Sequence, residues 1–233
     1  MDSQLSRLKD LFLDLIFPPR CIGCGKYGRF FCDSCLASLP YLAPPFCKKC
    51  GRPVPEAGLC HYCLAERMSI DVIRSPFRFS SPIREAVHAL KYRGLTAVSP
   101  VLASLIGEWL RENPLSGDVI VPVPLHPKRL RERGFNQSRL LAQKLSELIQ
   151  IPLSEGSLIR VKNTMAQART PNAEKRRENV YGAFKCLDSA LTGAKVILFD
   201  DVCTTGSTLD SCARALKEAG VKEVLGLTLA RET

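Results

Sequence analysis

The sequence predicts an α/β protein: a mostly parallel sheet flanked by helices, preceded by a small cysteine-rich module. Three observations carry this. Eight of the eleven cysteines lie before residue 64, in a repeated pattern. Beyond residue 68 apolar strand-like runs alternate with helical patterns, the arrangement that places helices on both faces of a parallel sheet. One of those strands runs into two carboxylates and a Thr/Gly/Ser loop that opens a helix. The expected boundaries are 1–67 for the N-terminal helix and cysteine-rich module and 68–233 for the α/β part.

Composition narrows the class. The chain has 233 residues, 45% of them hydrophobic and 24% charged, which excludes disorder as the main state. No run approaches the roughly 18 apolar residues of a membrane-spanning helix. A formal charge of +10 favours an anionic partner. The first residues do not have a signal-peptide layout, because Lys9, Asp10 and Asp14 interrupt the apolar run. A reducing, cytoplasmic setting is therefore expected, where clustered cysteines serve as metal ligands rather than disulfides.

Residues 3–17 place Leu5, Leu8, Leu11, Phe12, Leu15 and Ile16 at helical spacing, ending before Pro18 and Pro19. This reads as an amphipathic helix docked on the protein's own core or on a partner. An internal repeat follows. Cys21 and Cys24 precede Gly25 and Lys26, then Cys32 and Cys35 precede Leu36 and Ala37. Cys47 and Cys50 precede Gly51 and Arg52, then Cys60 and Cys63 precede Leu64 and Ala65. A two-residue gap lets both thiolates grip one ion, and a Gly after the second suits the left-handed turn that this requires. Four soft thiolates favour Zn²⁺ or an iron centre. The repeat unit suggests sequential pairing (Cys21, Cys24, Cys32, Cys35 on one ion; Cys47, Cys50, Cys60, Cys63 on the other), with interleaved pairing as the alternative. With every position filled by protein, the two metals are structural, and His61 reads as an exposed turn residue.

Metal binding also redistributes the charge. Residues 1–67 carry nine Lys/Arg against six Asp/Glu, a net +3, which eight thiolates and two Zn²⁺ convert to −1. The remaining +7 belongs to the α/β part.

In that part, residues 70–79 look extended, and 82–92 and 100–112 helical. Asp118–Val123 reads as a buried strand and 136–149 as a helix beginning at Asn136. Residues 163–179 are polar and without period. Lys195–Phe199 reads as a buried strand, Thr208–Ala219 as a helix and Val224–Ala230 as the last strand. The decisive segment runs from Val196 to Thr208. Open α/β sheets bind ligands at the carboxyl ends of their strands. Loop amides at a helix N-terminus cradle anions, and Gly206 permits close approach. No Lys follows the Gly, so this is not a Walker loop.

Residues 196–208 resemble the phosphoribosyl-pyrophosphate (PRPP) signature of type I phosphoribosyltransferases. The whole chain resembles the ComF family (ComFC, or GntX-like), which couples an N-terminal double zinc ribbon to a phosphoribosyltransferase domain. The likeness extends to residues 15–21, Leu90–Gly94, Val121–Arg129, Arg133–Gln137, Gln167, Arg176–Val180 and Gly182–Phe184. It implies that Asp200 and Asp201 hold the ribose hydroxyls, directly or through Mg²⁺. It implies that Thr204, Thr205, Gly206, Ser207 and Thr208 wrap the 5′-phosphate. It places the pyrophosphate at Pro124–Arg129, with Lys128 and Arg129 as counter-charges. Residues 163–179 then fit a loop closing over the site, with Arg169, Lys175, Arg176 and Arg177 near the leaving group.

Other residues take plainer readings. Cys203 is a small loop filler, and Cys186 and Cys212 pack in apolar surroundings. His88 and His126 are not metal ligands, and Phe135 belongs to the core. Lys91 and Arg93 fit either the site or the surface. Three functions follow: transfer of phosphoribose to or from an acceptor, in support of DNA uptake or DNA use; a single-stranded-DNA accessory of a competence helicase (ComFA-like); or a non-catalytic PRPP sensor.

Overall fold

The computed structural model describes residues 18–163 and 180–233. The expected helix at 3–17 lies outside them, as do Gln167, Arg169, Lys175, Arg176 and Arg177 of the expected closing loop.

The main sheet is parallel throughout. In sequence order its strands are β1 (Val72–Arg74), β2 (Phe77–Arg78), β3 (Val119–Pro122), β6 (Lys195–Cys203) and β7 (Glu223–Arg231). They lie side by side as β1-β7-β6-β3, with β2 also pairing to β7. A second sheet pairs β4 (Leu158–Arg160) antiparallel with β5 (Phe184–Cys186). The helices are α1 (Asp33–Ala37), α2 (His61–Ala65), α3 (Ile83–Arg93), α4 (Ser99–Glu112), α5 (Pro127–Arg133), α6 (Gln137–Ile149) and α7 (Ser207–Glu218).

Period-two burial on β6 explains the layering. Ile197 and Phe199 join one core with Leu90 of α3, Ile106 of α4 and Leu141 of α6. Val196 and Leu198 join the opposite core with Leu209 and Leu216 of α7 and Phe184 of β5. Both faces of the strand are covered, so its sequence is apolar almost without a break. Each large apolar side chain fully buried here contributes roughly 1.5–3 kcal/mol.

The expected elements fall where the patterns place them, with instructive differences. The extended run at 70–79 is two strands, because Pro76 has no amide hydrogen for the ladder. Strand β6 continues past Phe199 to Cys203, paired with β7 as far as Arg231, so the two acids sit inside the strand. Helix α5 forms from a run of charges that shows no apolar period. It starts with Pro127 in the first turn and with His126 Nδ1 accepting from the Lys128 amide at 3.2 Å.

The cysteine-rich module packs directly on the sheet. Phe31 and Leu39 belong to the core under α3 and α4. The amides of Leu42 and Arg78 donate to the carbonyls of Pro76 and Pro40, both at 2.8 Å, and the Ile73 amide of β1 donates to the Lys49 carbonyl at 2.7 Å. On the opposite side of the sheet, Ile120 of β3 receives the Ser154 amide at 2.9 Å and donates to Pro152 at 2.8 Å. Gly51 shows why the repeat needs its glycine. Its φ is +69°, and a Cβ there would collide with the Ile73 carbonyl oxygen.

Candidate functional site

The thiols gather in sequential pairing. Sγ atoms of Cys21, Cys24, Cys32 and Cys35 form one group and those of Cys47, Cys50, Cys60 and Cys63 the other, all within 4.8 Å of one another in each. Four sulfurs at tetrahedral zinc distance are spaced on this scale. Backbone amides point at the leading sulfur of each set: Cys32 N to Cys21 Sγ at 3.4 Å, and Cys60 N to Cys47 Sγ at 3.3 Å. Burial acts to raise the Cys47 thiol, yet the amides of Cys60, Cys50 and Lys49 bring it down to about 6, while burial pushes its neighbours Cys50, to about 11, and Cys63 up. Both donor sets fit a double zinc ribbon. His61 is exposed at the start of α2, outside both groups. The clusters differ in setting: Cys24 is exposed, whereas Cys47, Cys50 and Cys63 are buried.

At the carboxyl end of β6 a cleft of about 340 Å³ opens. Its floor is the acid pair. Ser138 Oγ donates to Asp200 Oδ1 at 2.7 Å, and the Asp201 amide donates to the same oxygen at 2.9 Å. Gln137 Nε2 donates to Asp201 Oδ1 at 3.3 Å, and Lys91 of α3 ion-pairs with Oδ2. Both donors from α6 are placed by Asn136. Its side chain accepts from the Ser138 amide at 3.0 Å and donates to the Val123 carbonyl at 3.0 Å, which ties the helix start to the end of β3.

The two carboxyls are driven apart electrostatically. Burial and the neighbouring Asp201 charge push Asp200 up to about 7. Burial also acts to raise Asp201, but the Lys91 ammonium outweighs it and holds this carboxyl below its usual range.

The loop after β6 turns sharply into α7. Gly206 has φ +85°, and a Cβ there would come within 3.1 Å of Ile73 Cδ1 and 3.3 Å of Met68 Cε. Thr205 Oγ1 and Ser207 Oγ are 2.6 Å apart. Thr204 and Thr208 line the cleft; Thr205, Gly206 and Ser207 form the turn behind them.

Of the expected pyrophosphate contacts, Arg129 lines the cleft, while Lys128 is exposed on the first turn of α5. Lys91 belongs to the site, while Arg93 is exposed beyond it. The structure adds Arg160 and Ser138 to the expected set and gives Gln137, a residue of the family likeness, a place in the site. Arg160 lines the same cleft with its guanidinium 5.3 Å from the Phe184 ring, and burial and the Arg129 charge pull its pKa down. The Asn136 cap was the available signal for Gln137 and Ser138; the short strand carrying Arg160 offered none. Cys203 is buried and its thiol is pushed up by that burial, consistent with a filler. Cys212 is fully buried and Cys186 partly so. His88 faces the cleft beside Phe79 and Tyr92, with ring centroids 6.0 and 5.6 Å away. Phe135 packs on the core. Among the described residues, no helix is long and apolar enough to cross a membrane.

A family model described as a double zinc ribbon domain matches residues 12–64, and one described as a phosphoribosyl transferase domain matches residues 133–232. The chain is similar to Competence protein F of Haemophilus influenzae, 32% identical over 226 residues, covering 91% of this chain and 96% of that protein. It is similar to Competence protein ComFC of Bacillus subtilis, 29% identical and covering 86% and 83%. It is also similar to DNA utilization protein YhgH of Escherichia coli K12, 31% identical and covering 76% and 80%. Two four-cysteine clusters ahead of this parallel sheet, together with identity across nearly its whole length, place the chain in the ComF family of double-zinc-ribbon, phosphoribosyltransferase-like proteins.

Proposed function

We propose that the cleft binds PRPP with Mg²⁺ and that the protein is a phosphoribosyltransferase-type protein acting in DNA uptake or DNA use. One observation carries this reading: the acid pair shares its cleft with the hydroxyls of Thr204 and Thr208 and with Arg129, Arg133 and Arg160. Paired carboxylates suit a vicinal diol or a hard divalent cation. A hydroxyl- and amide-lined turn at a helix N-terminus suits a phosphate.

The reaction is displacement at ribose C1. The bond from C1 to pyrophosphate breaks, the electron pair leaves with pyrophosphate, and the acceptor atom bonds to C1. Asp200 and Asp201 hold the sugar while charge builds on its ring. Arg129 and Arg160 neutralise the departing pyrophosphate, and Thr204 to Thr208 anchor the other phosphate. Mg²⁺, when bound, supplies further neutralisation of phosphate charge. The two ribbons supply stability and no step of this chemistry. The eight thiols they require fit a cytoplasmic, reducing setting.

Calorimetry with PRPP and Mg²⁺ tests the reading. Heat of binding is expected for the wild type and none for the Asp200→Asn/Asp201→Asn variant. Absence of binding by the wild type overturns it. Pyrophosphate release with any acceptor separates an enzyme from a sensor that keeps the cradle and lacks the chemistry.

A second reading has one specific support. Arg129, Arg131 and Arg133 crowd onto α5 at the rim of the cleft, and three relatives bear names tied to competence or DNA use. Single-stranded DNA, handed on by a competence helicase, is then the partner. Affinity for an oligonucleotide should fall steeply as salt rises. An oligonucleotide that fails to bind at low salt removes direct DNA contact.

A further inference from the structure

Asp201 is 3% exposed, and both of its carboxylate oxygens are engaged. Gln137, itself buried, fixes the first of them. Arg133 Nη1 donates to Gln137 Oε1 at 2.5 Å. A guanidinium has donors only, so the amide must turn its own donor, Nε2, the other way. That nitrogen meets Asp201 Oδ1 at 3.3 Å. Lys91 takes the second oxygen, Oδ2, which is buried.

Asp200 is held differently. Its Oδ1 accepts from the Ser138 hydroxyl and from the Asp201 amide, both uncharged donors. The floor of the cleft therefore sets two carboxylates against one ammonium. A hard divalent cation draws on the charge and the oxygens of just such an acid pair. Lys91 already neutralises one of the two.

Lysine suits a contact that has to be given up. Its ammonium is a compact charge on a flexible four-carbon stem, without the forked donors by which arginine grips a carboxylate. The stem rises from the last turn of α3, and Lys91 lines the same cleft as Arg129, Arg133 and Arg160. A phosphate-bearing ligand entering there offers the ammonium a second anion.

We propose that Lys91 is a tethered counter-ion seated on Asp201 where a divalent cation would bind, and that it keeps the acid pair closed to free metal. This deepens the reading of the cleft proposed above and rests on it in taking the acid pair as a cation seat.

The test uses Mn²⁺ alone, a hard divalent probe that binds protein ligands more weakly than zinc and leaves the ribbons loaded. Binding to full-length, zinc-loaded chains is read by electron paramagnetic resonance, without PRPP and without turnover. Lys91→Met should bind Mn²⁺ at least about tenfold more tightly than wild type, the effect of removing a cation in contact with the seat. Adding Asp201→Asn should abolish the gain. Lys91→Arg, which keeps the charge, should bind no more tightly than wild type. Equal affinity in wild type and Lys91→Met overturns the proposal, and so does a matching gain in Lys91→Arg, which would show packing rather than charge. If Lys91→Met does not fold, Lys91→Gln keeps a donor for Oδ2, loses the charge and carries the same expectation and the same overturning result. Calorimetry with PRPP on the wild type decides the ligand separately: a chain that binds no PRPP yet gains Mn²⁺ affinity on loss of Lys91 keeps this proposal and loses that reading, and the reverse pair of results does the opposite.

Discussion

Lys91 on α3 and Asp201 on β6 meet as an ion pair across the floor of the cleft, joining a helix from the first half of the chain to the strand that carries the acids. The pair is largely shielded, at 19% and 4% side-chain exposure, so neither partner is well served by water if the other is removed. Lys91→Met should therefore destabilise the protein by about 3 kcal/mol, as for a broken buried pair. Adding Asp201→Asn should restore part of the loss. Urea unfolding of the two single variants and the double variant measures this non-additivity.

The acid pair gives opposite pH signatures. Asp200 has a folded value near 7, above its ordinary 3.8. Its contribution to stability is present below the ordinary value and is lost as pH rises through about 7. Asp201 is depressed, so its contribution is present above the ordinary value and is lost as pH falls through the depressed one. On the proposed reading, a Mg²⁺–PRPP ligand would select the ionised form of Asp200. Affinity should rise with pH through about 7, with proton release on the acid side of that value. Calorimetry in buffers of different ionisation heat counts those protons.

Gly206→Ala places a Cβ on a left-handed backbone against Ile73 and Met68. The expected cost is about 1–3 kcal/mol of stability. PRPP affinity should fall further than in a Thr205→Ala control, which removes a hydroxyl and leaves the turn. Thermal unfolding and calorimetry on the same samples separate the two effects.

Metal removal should proceed in two stages. The cluster containing exposed Cys24 should release zinc to a chelator first, and the buried cluster of Cys47, Cys50 and Cys63 later. Loss of the second ion should coincide with loss of near-ultraviolet dichroism. Zinc released against time, read with a colorimetric dye, checks the order.

Much of this architecture is legible in the sequence because its signals are local. CxxC spacing followed by Gly51 announces a metal turn, and the apolar run Val196–Phe199 announces a doubly covered strand. Asn136 announces the start of α6. What stays hidden depends on distant partners. Strands of three residues, such as Leu158–Arg160, hold too few positions for a period to show, so Arg160 carries no label. The charged run of α5 is helical because of its cap and first-turn proline, not an apolar face. Strand β6 extends through both acids because β7 continues beside it, a fact of pairing that composition does not record.

The hydrogen bonds from Ile73 to Lys49 and around Ile120 have a consequence for the life of the molecule in a crowded cell. Each outermost strand of the sheet is already occupied, one by the second ribbon and the other by the segment at 152–154. A fragment beginning at residue 68 would bare β1 and the ring of Phe77, inviting strand addition from a neighbouring copy. The ribbons thus shield the sheet from polymerisation, which gives them work to do whatever ligand the cleft receives.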